Sequence, residues 1–176
     1  MKQISKKCLG SLFILYIGLI FPSAVYAQND IGGHIGTVLP LVSVSGGETS
    51  SIADNLAAGF PMGVTVKTNY NVAFDLEVVP FLDENAVTNV IFHPGVLMGL
   101  TRGFTFGIRG AFETAGSYGI TPLLNKAFPF PSDPDTVFFV ELVLPVRFYQ
   151  AAPEYTGASV NVTKTVAMAV HFGVGF

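Results

Sequence analysis

The residues in this sequence that could do chemistry are few. Lys67, Asp75, Glu77, Arg109, Glu113, Glu141 and Arg147 stand among bulky apolar neighbours, as Asp75 and Glu77 flank Leu76, Arg109 follows Ile108 and Glu141 precedes Leu142. His34, His93 and His171 are the only histidines, and each is followed two residues later by glycine: Gly36, Gly95 and Gly173. Three cations facing four carboxylates suggest a set of buried ion pairs, because a charge enclosed by protein needs a partner. The same residues would make a polar path for a small solute only if water files, rather than paired charges, filled the space between them. His34 and His171 could share a proton or hold a metal. With no third ligand in view, the expectation is hydrogen bonding, with no metal and no cofactor.

What positions these groups is a period of two. In Val166-Ala167-Met168-Ala169-Val170-His171-Phe172-Gly173-Val174-Gly175-Phe176, bulky apolar residues alternate with small ones and a histidine. Successive side chains of a strand point to opposite faces, so one face is greasy and the other is narrow and nearly uncharged. Similar alternation predicts strands over 31–44, 57–68, 72–82, 89–101, 104–114, 119–130, 137–149 and 158–176. In most of them, the charged and histidine residues fall on one face and residues such as Phe74, Phe106, Ile108 and Leu142 on the other. Pro40 predicts a bulge in the first strand. The segment 119–130 is the least regular, with Pro122 and Pro129 interrupting it and Lys126 on the apolar face. Short turns near Asn69, Arg102 and the stretch Ser132-Asp133-Pro134-Asp135 alternate with longer loops near Gly47, Glu84, Gly116 and Pro153.

The amino terminus has a different character. Lys2, Lys6 and Lys7 precede an apolar run from Leu9 to Phe21, and Val25-Tyr26-Ala27 supplies small residues for cleavage, so 1–27 is expected to be a secretory signal peptide and 28–176 a single domain. The run is too short for a spanning helix of roughly 20 residues. Cys8, the only cysteine, would leave with the signal. The whole chain is 50% apolar and 12% charged with mean hydropathy +0.54, whereas soluble domains carry about 25% charged residues. No later stretch is an unbroken apolar segment of helical membrane length, which leaves a closed barrel as the way to satisfy every backbone group in lipid. The formal net charge of −3 argues against a nucleic-acid partner.

Eight strands with short turns at one end and longer loops at the other match the asymmetry of bacterial membrane barrels. The closing residues Val170, Phe172, Val174 and Phe176 resemble the carboxy-terminal assembly signal of outer-membrane proteins, an amphipathic last strand ending in an aromatic. Together with the signal peptide, the pattern resembles the small eight-stranded outer-membrane β-barrels of the OmpA and OmpX type. The fold class is therefore all-β, an antiparallel up-and-down transmembrane barrel located in the bacterial outer membrane. The sequence lacks tryptophan, so aromatic girdles would rest on residues such as Tyr70, Phe148 and Tyr149.

That resemblance implies a monomer in contact with outer-membrane lipids and lipopolysaccharide, delivered by periplasmic chaperones and the outer-membrane insertion machinery. An eight-stranded interior is about wide enough for side chains to fill. The expected role is thus structural, surface-interacting or in envelope integrity, with a polar, side-chain-filled lumen; the alternative is a narrow channel for small solutes. Likeness to the lipid A deacylases would require a His-x-Ser pair facing the membrane, and no histidine here has that neighbour, so no catalytic residue is expected. A soluble lipocalin-like binder would show an apolar interior and a charged exterior, the reverse of this facing.

Overall fold

The structure is a computed structural model that describes residues 31–54, 56–68, 70–82, 87–150 and 162–176. The expected signal, the loops near Glu84 and Pro153 and the first residues of the closing strand fall outside them. The described chain forms β1 (Ile31–Ser45), β2 (Glu48–Ser51), β3 (Ala58–Gly59), β4 (Met62–Lys67), β5 (Val72–Leu82), β6 (Val87–Gly99), β7 (Phe104–Glu113), β8 (Tyr118–Phe130), β9 (Asp133–Val143), β10 (Val146–Gln150) and β11 (Val162–Gly175). β3 with β4, and β9 with β10, make one stave each, so eight antiparallel staves pair in chain order and close where β11 pairs with β1.

The seam runs from His34 opposite Gly175 to Ser45 opposite Thr165, with a register shift between Pro40 and Val42, where the missing proline donor predicts a bulge. Beyond it, Phe176 exchanges two backbone hydrogen bonds with Gly33, at 2.6 and 2.9 Å. Small residues are what let the two ends of the chain approach. A β-carbon on Gly36 would sit 2.4 Å from the Phe172 carbonyl oxygen, and one on Gly33 would meet the Phe176 ring at 2.7 Å.

Outward positions carry the apolar residues. Phe74, Leu76, Phe92, Val96, Phe106, Ile108, Phe112, Leu124 and Leu142 are all exposed, while the buried hydrophobics, among them Val79, Ile91, Ala111, Leu123, Val143 and Ala169, point into the lumen. Tyr70 at the turn end and Tyr149 toward the loop end are exposed, whereas Phe148 is half-buried with its ring 5.9 Å from that of Tyr118. A greasy outer surface around a lumen holding the charges is a protein turned inside out, stable only with hydrocarbon outside.

Three stretches differ from simple alternating strands joined by open loops, and the least regular expected strand forms in full. The second stave is interrupted at Phe60 and Pro61, yet Phe60 N–H still donates to Pro80 and the Pro61 carbonyl accepts from Gly36 N–H, both at 2.9 Å. The expected loop after Ser45 begins instead as a hairpin, because Gly46 and Gly47 both take positive φ and fold β2 back onto β1. Beyond β2, the Ser51 hydroxyl and amide both donate to Asp54 at 2.7 Å, which holds that exposed carboxyl below its usual range. The last turn lies at Pro131 and Ser132 rather than over 132–135: Phe130 pairs with Asp133, and Asp133 accepts from Thr136 Oγ1 at 2.6 Å. Finally, 119–130 is a full stave, β8. Its Pro122 lies at the level where the seventh stave breaks between Val143 and Val146, and its carbonyl accepts from Leu144 N–H at 3.0 Å. Lys126 leaves the apolar face by reaching along it: the ammonium donates to the Arg102 carbonyl in the turn and lies 4.7 Å from the centre of the Phe104 ring.

Candidate functional site

Alternation aims one residue of each adjacent pair at the barrel axis, and the staggered register brings seven of those residues into one cluster. Arg109, only 3% exposed, lies at the centre. Its Nε donates to Asp75 Oδ2 and its Nη1 to Glu141 Oε1, each at 2.7 Å, and Nη2 stands 3.6 Å from Glu77 Oε2. One guanidinium from β7 thus ties β5 to β9. Glu77 accepts from His34 Nε2 at 3.1 Å through one oxygen and from His93 Nδ1 at 2.9 Å through the other. His171 Nδ1 donates to Glu141 Oε1 at 3.3 Å, and Thr65 and Asn125 complete the shell around Asp75 and Glu141 at 2.7 and 3.3 Å. Three carboxylates face a single guanidinium here, with imidazole N–H groups completing their hydrogen bonds.

A second cluster sits nearer the loop end. Arg147 Nε donates to Glu113 Oε1 at 2.6 Å, and Asn89 Nδ2 donates to Glu113 Oε2 at 2.8 Å. Arg147 also reaches Thr121 Oγ1 at 3.0 Å and His93 Nε2 at 3.1 Å. A guanidinium has no acceptor to offer, so His93 accepts at Nε2, carries its proton at Nδ1 and gives it to Glu77. The order Thr121, His93, Glu77 is that of a nucleophile, a base and an orienting carboxylate. The hydroxyl is 3.5 Å from Nε2, however, and Arg147 occupies both atoms, which leaves the imidazole no lone pair with which to take a proton.

The remaining sequence candidates are placed as follows. Lys67 faces the turn-side mouth of the lumen and forms no ion pair among the described residues. His34 and His171 do not share a proton directly: their rings are 6.4 Å apart, and Phe139 stands edge-on to both, at 6.2 and 4.9 Å. His34 is the nearer of the two to the turn end, opposite Gly175, while His171 lies further along the seam, opposite Val38. The His171 Nε2 atom is buried without a hydrogen-bond partner among the described residues. No cluster of metal-ligating side chains occurs among the described residues. Val170, Phe172, Val174 and Phe176 lie along the seam opposite Leu39, Thr37, Ile35 and Gly33. Thr65, Asn89, Thr121 and Asn125 were not among the sequence candidates, although their inward parity was the available signal.

The lumen is filled by side chains only at mid-height. Below the Arg109 level a cavity of about 670 Å³ of mixed character opens, with Thr65, Lys67, Asp75, Asn125 and Asp135 as its polar lining. Above it lies a smaller cavity of about 230 Å³. Contrary to the expectation of a polar interior throughout, much of this upper cavity's lining is apolar, with Val38, Val79, Phe81, Ile91 and Val143 among it.

These features define an integral outer-membrane β-barrel: a closed antiparallel cylinder with lipid-facing hydrophobics, buried lumen charges and short turns at one end. No family model and no curated protein matches the chain. Among solved structures it is similar to the solid-state NMR structure of outer membrane protein AlkL in DMPC lipid bilayers, at 10% identity over 88% of this chain and 92% of that one, with a TM-score of 0.44. It is also similar to the crystal structure of the outer membrane protein OprG from Pseudomonas aeruginosa, at 12% identity over 85% of this chain and 95% of that one, with a TM-score of 0.47.

Proposed function

We propose that this barrel is a closed, non-catalytic outer-membrane protein with a structural, surface-interacting or envelope-integrity role. The observation that carries this reading is the pair of 2.7 Å bonds from Arg109 to Asp75 and Glu141, which lace staves three, five and seven together across the lumen. A conducting pore needs a continuous file of water, and ion pairs bonded at this distance leave no room for one. Catalysis is disfavoured because all three histidines point inward and bond carboxylates. The second reading, a narrow channel, draws on the two cavities, which a single layer of side chains separates. In planar bilayers the refolded protein should show no steady single-channel current at neutral pH. Sustained ohmic steps would favour the channel and remove the closed-barrel reading.

Membrane lipids and the assembly machinery are the partners this role requires. Phe176 is exposed on the outer surface at the end of the seam, where both a recognition factor and the lipid would meet it. Deleting it also removes the two backbone bonds to Gly33. The expected result is less heat-modifiable barrel in the outer-membrane fraction and more degraded chain in the periplasm. If insertion is unchanged, the terminal aromatic has no assembly role.

A further inference from the structure

The upper cavity is used by neither the fold nor the plug beneath it. A cavity of about 150 Å³ is enough to hold benzene; this one measures about 230 Å³. Its lining mixes two chemistries: Val38, Val79, Phe81 and Val143 supply apolar surface, and Thr121, Arg147, Glu113 and Asn89 supply polar groups beside it. Convergent polar groups beside apolar surface in a recess are the usual make-up of a small-molecule site.

The geometry points to the upper lumen as a binding site for a compact, uncharged amphiphile, a single ring or short chain bearing a hydroxyl-type group that lies against Arg147 and Thr121. The absence of charge on the ligand follows from the neighbours. Arg147 is already matched by Glu113 at 2.6 Å, and the floor holds Glu77, with Asp75 and Glu141 behind it, against Arg109 alone. A carboxylate entering here would meet this surplus without a free cation to pair with. A hydroxyl needs only one donor or acceptor, and the Glu113 oxygens and the Thr121 hydroxyl can supply it.

Benzyl alcohol and benzoate are a matched pair of probes. The refolded barrel, in lipid nanodiscs with labelled Ile, Leu and Val methyls, is titrated with each at neutral pH. Benzyl alcohol should shift Val79, Ile91 and Val143 saturably, while Ile108 and Leu142 on the lipid face show only the linear drift of partitioning. Benzoate should bind about tenfold more weakly or worse, as a buried unpaired carboxylate demands. Ala169, which lines the cavity at 3% exposure, provides the filling variant. Ala169→Phe should abolish the saturable shifts, and Ala167→Leu serves the same purpose if the larger change prevents folding. Equal shifts inside and outside the barrel, equal affinity for the two probes, or saturable binding that survives filling would each overturn the assignment. None of these outcomes depends on whether the barrel conducts.

Discussion

Replacing Arg109 with glutamine should lower the stability of the folded barrel by about 3–5 kcal/mol, the usual penalty for removing one partner from a buried ionic cluster. Glutamine has nearly the length of arginine but no charge, so Asp75, Glu77 and Glu141 would be left facing one another with only histidines between them. The test is urea unfolding of the protein reconstituted in lipid vesicles. The defect should be smaller in acid than at neutral pH, because a protonated carboxyl no longer repels its neighbours. Turning Arg109, Asp75 and Glu141 together into apolar residues of similar size should recover most of the loss, since a well-packed apolar replacement has no charge to desolvate. A loss below about 1 kcal/mol at neutral pH, the range of exposed pairs, would mean that water reaches this level of the lumen.

At the neighbouring position arginine should have the opposite effect. Ile108 is 45% exposed on the outer face, and Leu142, next to Glu141, is 41% exposed. Arginine in place of either is expected to cost about 2–4 kcal/mol near the bilayer midplane, in the same vesicle assay. The two residues straddle the plug, so they stand at the level of the Arg109 guanidinium and not near a rim where a long side chain escapes to the headgroups. Lys126 shows the contrast, reaching the Arg102 carbonyl from close to the turn. Unchanged stability for both Ile108→Arg and Leu142→Arg would place that surface in water and reverse the facing of the barrel.

The facing of these residues was legible because charges mark it. Wherever Asp75, Arg109, Glu141 or His171 appears, the period of two assigns every neighbour, and the bulge at Pro40 followed from its missing donor. The apolar lining of the upper lumen was less conspicuous. Val79 shares the inward parity of Asp75 and Glu77, but its side chain carries no chemical mark of the lumen, where it is only 2% exposed. The turn at Pro131 and Ser132 was misplaced because Asp133, Pro134 and Asp135 are strong turn formers. The pairing of Phe130 with Asp133 takes them into the strand. Which charges would meet was not readable at all. That depends on the stagger between staves, a property of closure rather than of any segment.

Closure also sets an order of events. Seven of the eight stave pairings join neighbours along the chain, but β1 and β11 come from its two ends, so their meeting spans the longest loop and belongs with the slowest contacts. Until it happens both strands are open edges, able to pair with another copy. His34 and His171 flank that seam and bond carboxylates on β5 and β9. An unclosed sheet therefore leaves the central charges in water, and they lose it when the last strand docks. Loop entropy and charge dehydration consequently fall on one kinetic step, so a barrel caught before it would be both sticky at its edges and wet at its core.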